Sequence, residues 1–130
     1  MVMSKDAGRL IRTGVNVLVG ESHGAARDAG WWNDPATNEP LDRNRGELLC
    51  LIHSEISEAM EAERKGLMDD KLPHRPGAEV ELADALIRIC DYAGGHGYDI
   101  AGAVLEKMAY NAERADHKPE NRAAAGGKKF

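Results

Sequence analysis

The chain has 130 residues, 42% of them hydrophobic and 30% charged, with a formal net charge of −5 at pH 7. That length suits one domain of ordinary size, the composition is that of a globular protein, and no apolar run approaches the roughly 18 residues of a spanning helix. The acidic balance argues against binding a nucleic-acid polymer, which relies on clustered Lys and Arg; only Lys128 and Lys129 form a local basic group.

Few aromatics, no β-branched runs and a preponderance of Ala, Leu, Glu and Arg in the patterned stretches predict an all-α protein. From Ser4, a candidate N-cap, the spacing predicts a first helix towards Asp28, with Leu10, Ile11, Val15, Leu18 and Val19 on its apolar side and Gly30 as its end. Arg9, Arg12 and Asn16 interrupt its apolar patch and no small-residue cleavage site follows, so it does not read as a secretion signal and a cytoplasmic location is expected. The loop from Gly30 to Asp42 carries Trp31, Trp32 and two prolines. A second helix is predicted from near Asn44 to Lys65, with Leu48, Leu49, Ile52, Ile56, Ala59 and Met60 at three- and four-residue steps and Gly66 as its stop. A loop from Leu67 to Gly77, holding Pro73 and Pro76, leads to a third helix over Ala78 to Ala93, with Val80, Leu82, Ala83, Leu86, Ile87 and Cys90, closed by Gly94-Gly95. Asp99 caps a fourth helix through Ile100, Val104, Leu105 and Met108 to about Ala115, and residues 116–130 are expected to have little independent structure. The expected architecture is a single-domain four-helix bundle. Cys50 and Cys90 both fall in helical apolar patterns and read as reduced core thiols.

Glu55 and Glu58 lie three apart on the second helix, and Glu81 and Asp84 three apart on the third, so each pair projects from one helix face beside the apolar stripe. Gathered in a partly buried space, four carboxylates repel and protonate unless a cation compensates them, and all-oxygen ligation suits Mg2+ or Mn2+. The plainer reading of the same acids is a solvated helix face, and Glu61, Glu63, Glu79 and Asp91 show how readily acid-rich helices produce such spacings. Asp91 is seven residues after Asp84, and Glu61 is one turn beyond Glu58; either can join the cluster or face solvent. On the fourth helix Lys107, Asn111 and Arg114 form one polar stripe able to bind phosphate oxygens or a sugar hydroxyl, or else a solvated helix end whose cations complement the dipole. Trp31 and Trp32 are the only tryptophans. Either both cap the bundle as core, or one, Trp32, anchors the loop while the other faces a ligand.

The segments His53-Ser54-Glu55-Ile56-Ser57-Glu58-Ala59-Met60-Glu61-Ala62, Glu81-Leu82-Ala83-Asp84-Ala85-Leu86-Ile87-Arg88 and Lys107-Met108-Ala109-Tyr110-Asn111 together resemble the MazG-like all-α nucleotide pyrophosphohydrolases, above all the short single-domain forms of bacteriophages. The resemblance runs from Gly30 to Asn111, and Gly126-Gly127-Lys128-Lys129-Phe130 is similar to the usual ending of such proteins; the Ala-rich stretch after Asn121 departs from the pattern. It implies hydrolysis of a nucleoside triphosphate to monophosphate and pyrophosphate, with Mg2+ or Mn2+ on Glu55, Glu58, Glu81 and Asp84, and Glu55 or Glu58 accepting the proton of the attacking water. It also implies phosphate contacts from Lys107 and Asn111, a homodimer or dimer of dimers, and a purine deoxynucleotide such as dGTP as substrate. Two other classes compete. A di-iron carboxylate bundle normally uses Glu-x-x-His pairs, and neither Glu58 nor Asp84 has a His three residues on. A non-catalytic interaction module would use the acids as surface charge and the Trp pair as a docking patch, and would be indifferent to metal.

Overall fold

The computed structural model describes residues 2–130, and among them it is all-helical: α1 spans Lys5–Asp28, α2 Arg45–Lys65, α3 Gly77–His96, α4 Ile100–Glu113 and α5 Pro119–Ala123, with a 3₁₀ turn at Ala115–His117. No helix among the described residues is long and apolar enough to cross a membrane. The chain divides into two compact units, Val17–Tyr98 and the joined segments Met1–Asn16 and Asp99–Phe130.

In the Val17–Tyr98 unit, α2 and α3 pack along each other. Ala62, near the end of α2, lies against Gly77 at the start of α3, while Glu55 meets Arg88 farther along, so the two helices run antiparallel. Asn44 caps α2, its side chain accepting the Glu47 N–H at 3.0 Å, and Gly66 closes it in the left-handed conformation with φ 62°. The connecting loop is tied to itself: the buried Asp69 carboxylate accepts the Lys71 and Leu72 N–H groups at 2.9 and 2.6 Å, and the Gly77 N–H donates to Leu67 O at 2.8 Å. These bonds set where α3 begins, and with it the register of its acids against those of α2.

The buried stripes differ from the predicted ones. On α2 the residues turned inward are Leu48, Ile52, Glu55, Ala59 and Ala62, at alternating steps of four and three, whereas Leu49, Ile56 and Met60 are exposed. The stripe therefore runs through Glu55 and not past its edge. On α3 the buried residues are Gly77, Ala78, Ala85, Cys90 and Ala93, while Leu82, Ala83, Leu86 and Ile87 are exposed. Small side chains sit between the helices because close approach of the backbones leaves room for nothing larger. Cys50, expected in the core, is exposed on the uncovered side of α2, and Leu10 likewise lies outside the half-buried row of Ile11, Val15, Leu18 and Val19 on α1.

Gly94-Gly95 does not end α3, which continues to His96 and closes on Gly97 at φ 69°. The pair serves packing: a Cβ on Gly94 would come within 2.6 Å of His23 Cβ, and one on Gly95 would collide with the Trp32 ring. The Trp loop is a built turn. Leu41 N–H donates to Trp32 O and Asp34 N–H to Glu39 O, both at 2.8 Å, around an isolated bridge between Asn33 and Pro40.

In the other unit Ser4 caps α1 through the Ala7 N–H at 3.1 Å, and Asp99 caps α4 through the Gly102 N–H at 2.9 Å. The tail carries the 3₁₀ turn, the five-residue α5 and a group of polar contacts. Asp116 receives Arg114 through two hydrogen bonds and Lys128 at 2.8 Å, and Asn121 donates to Ala115 O at 2.6 Å. One carboxylate thus holds the segment that alanines and glycines alone would leave loose.

Candidate functional site

Glu55 comes from the middle of α2, Glu81 and Asp84 from the second turn onward of α3, and the antiparallel packing brings their carboxylates together. One oxygen from each of the three lies within 4.8 Å of the others. Glu55 is 7% exposed, Glu81 half-buried and Asp84 exposed, so the cluster runs from the helix interface towards solvent. Glu58, one turn after Glu55, is exposed and outside that tight group, yet close enough to Glu55 to be coupled to it electrostatically. Arg88 provides the only cation in the cluster: its Nε donates to Glu55 Oε1 at 2.7 Å.

Proton affinities reflect this crowding. Burial, a hydrogen bond shared with Glu55 and the charges of Glu58, Glu55 and Asp84 push the Glu81 carboxyl up from its ordinary 4.5 to about 7. Burial and the Glu55 charge raise Asp84 against the pull of Arg88. Glu58 is raised by its hydrogen bond to Glu55 and by that group's charge. Burial works to raise Glu55 as well, but the hydrogen bonds from Arg88 and with Glu81, together with the Arg88 charge, outweigh it and hold the carboxyl below its ordinary value. Four acids and one arginine leave a net negative centre built only of hard oxygen donors, a donor set that fits a divalent cation such as Mg2+ or Mn2+.

Beside this centre lies a hollow of about 540 Å³ whose lining includes Glu55, Asp84, Arg88, Asp91, Trp31 and Arg43. The two tryptophans have separate environments. Trp32 is the fixed one: its Nε1–H donates to Asp91 Oδ1 at 2.8 Å, and its ring meets His23 and His96 edge-on at 5.2 and 5.5 Å. Trp31 is 61% exposed and borders the hollow. The Arg43 guanidinium lies 5.9 and 5.7 Å from the Trp31 and Trp32 ring centroids and donates to Trp31 O at 2.5 Å, so one cation organises both rings.

The other predicted residues have surroundings of their own. Lys107 and Asn111 belong to the Met1–Asn16, Asp99–Phe130 unit, where they border a shallow hollow of about 480 Å³ with Ile100 and Val104. Lys107 Nζ sits 4.5 Å from the Tyr110 ring centroid, and the buried Asn111 Oδ1 has no hydrogen-bond partner among the described residues. Arg114 is engaged by Asp116. Glu61 pairs with Lys65 at 2.6 Å, and Asp91 holds His23 and Trp32, so neither belongs to the acid centre.

Arg88 and Arg43 were not among the predicted site residues. Arg88 was legible in principle, since it follows Asp84 by four and Glu81 by seven and so shares their face. Arg43 sits in a loop, where no periodicity reports orientation. No protein-family model, curated protein or solved structure matches the chain.

Proposed function

We propose that this chain is a Mg2+- or Mn2+-dependent nucleoside triphosphate pyrophosphohydrolase of the MazG-like type. One observation carries the reading: Glu55, Glu81 and Asp84 converge from two helices to within 4.8 Å beside a hollow of nucleotide size. Glu55, Glu81 and Asp84, with Glu58 next to them, would hold the cation, which when bound supplies positive charge for the triphosphate and acidifies a water. Glu58 is the better proton acceptor of the two acids on α2, because Glu55 is tied to Arg88 whereas Glu58 is exposed and has a raised proton affinity. Trp31 presents a ring to the base, Trp32 keeps the loop in place, and Arg43 and Arg88 supply fixed donors in the hollow. Lys107, Asn111 and Arg114 enter this reading only as phosphate contacts that the resemblance and their shared stripe imply.

The same reading takes the protein to be a homodimer or dimer of dimers, which the exposed apolar residues of α2 and α3 support. Incubating a panel of ribo- and deoxyribonucleotides with Mn2+ and scoring monophosphate and pyrophosphate tests reaction and selectivity together. A purine deoxynucleotide such as dGTP is the expected best substrate. Release of orthophosphate in place of pyrophosphate, or turnover unchanged in Glu81→Gln, contradicts the reading.

A further inference from the structure

Cations in the Val17–Tyr98 unit fall into two groups. Arg64, Lys65, Lys71, Arg75 and Arg88 each meet a carboxylate, at 2.6 to 3.6 Å. The unit's remaining basic residues, Arg27, Arg43 and Arg45, have no carboxylate partner among the described residues, and all three border one cleft of about 420 Å³. They come from three separate elements, namely the last turn of α1, the Trp loop and the first residue of α2. Arg43 and Arg45 are near neighbours in sequence, and the fold brings Arg27, from the end of α1, to the same cleft. With Asp42 as the one carboxylate among its lining residues, the cleft is net positive in a chain of net charge −5, a field that favours an anion.

The rest of the lining is ordered. Asp42 is its only carboxylate. Trp32 is held by Asp91, and the two imidazoles that flank it each use Nδ1 internally, His23 on Asp91 and His96 on Tyr92 O, both at 2.9 Å. Gly95, which also borders the cleft, leaves room for the Trp32 ring where any side chain would collide with it. Arg43 and Arg45 each hold one neutral oxygen, Trp31 O and Tyr98 Oη, which fixes direction without cancelling charge.

We propose that this cleft binds a condensed phosphate group, the diphosphate or triphosphate of a nucleotide or free pyrophosphate, at a site that contains none of the four acids and shares only Arg43 with the hollow beside them. Guanidinium forks match phosphate oxygens, and three of them beside one carboxylate suit a condensed phosphate better than a single ester. The proposal does not depend on the hydrolase reading, since a protein with no turnover would still show the site.

The test is equilibrium dialysis of labelled pyrophosphate against the full chain in EDTA, where metal-bridged binding at the carboxylates is removed. The expected result is saturable binding that weakens with salt, falls about tenfold or more in Arg27→Gln and in Arg45→Gln, and is unchanged in Arg64→Gln, whose cation is already paired. Both cleft variants change exposed side chains, and each is checked by a thermal melt, so either one alone decides the matter. Competition with dGTP and dGMP distinguishes the sources: displacement by dGTP but not dGMP assigns the nucleotide's phosphate chain, and displacement by neither assigns free pyrophosphate. Absence of binding, or binding that Arg27→Gln and Arg45→Gln leave intact, overturns the site. Turnover in Mn2+ is scored separately, so loss of one property does not imply loss of the other.

Discussion

At the scale of single residues, the acid centre ties stability to pH through Glu81. Its carboxyl titrates near 7 in the folded chain and near 4.5 ordinarily, so between those values the folded state holds the extra proton. The stabilisation is present below about pH 4.5 and is lost as pH rises through 7. In EDTA, the melting temperature of the wild type should therefore decline across that window. Glu81→Gln should flatten the decline and melt higher than wild type at pH 8; a parallel decline in the variant would show that Glu81 is not the source. With metal, the order reverses in activity: Glu55→Gln, Glu58→Gln, Glu81→Gln and Asp84→Asn should each lose most of the turnover while keeping their fold, measured as pyrophosphate release at saturating Mn2+. Near-normal rates in any one of them remove that residue from the metal site. The acids were legible in the sequence because two helical pairs at fixed spacing announce a shared face. Arg88 shared that face by the same spacing and could have been read with them, whereas the fixing of Trp32 by Asp91 and the arginine cleft depend on which elements meet, and spacing within one helix says nothing of that.

At the scale of elements, Asn44, Gly66 and Asp99 predicted helix ends correctly because capping chemistry is local. Gly94-Gly95 misled because a glycine pair also serves close packing, and here His23 and Trp32 occupy the space that side chains would need. The α2 stripe was right at Leu48, Ile52 and Ala59 and misplaced at Leu49, Ile56 and Met60, because large apolar residues were weighted over Glu55 and Ala62. A direct consequence is that Gly95→Ala, which would raise helix propensity on an open surface, should instead destabilise by about 1–3 kcal/mol through overpacking against Trp32. Truncating the two tryptophans separates their roles. Trp32→Ala should cost about 3–5 kcal/mol in chemical denaturation, because it removes a packed ring and leaves Asp91 without its N–H donor. Trp31→Ala should cost little stability but about 1–3 kcal/mol of nucleotide binding, the scale of base stacking on an aromatic ring. Equal losses of stability at both positions would remove Trp31 from base recognition.

At the scale of the whole molecule, the large apolar residues and the buried ones are different sets. The core residues are Ala59, Ala62, Ala78, Ala85, Cys90, Ala93 and Ala101, and no large side chain among the described residues is fully buried. Meanwhile Ile56, Met60, Leu82 and Leu86 are 48%, 58%, 54% and 49% exposed. Residues 49, 56 and 60 fall on one side of α2, and residues 82, 86 and 89 on one side of α3, so each helix carries an uncovered apolar face in addition to the one it shares with the other. Burial is worth about 25 cal/mol per Å², and a stable interface takes about 800 Å² from each partner. Faces of this kind on two helices of about 20 residues suit a second copy of the chain, and they would leave an isolated subunit prone to aggregate. Sedimentation equilibrium at micromolar concentration should accordingly give a species of two or four times the 14.1 kDa chain mass. Ile56→Glu combined with Leu86→Glu should shift it to monomer and lower the melting temperature, with turnover falling in step if the acid centre depends on the assembled subunits. A monomeric wild type that melts cooperatively at the same concentration would show that alanine packing alone sustains the fold, and the oligomer would then have no part in the proposed hydrolase.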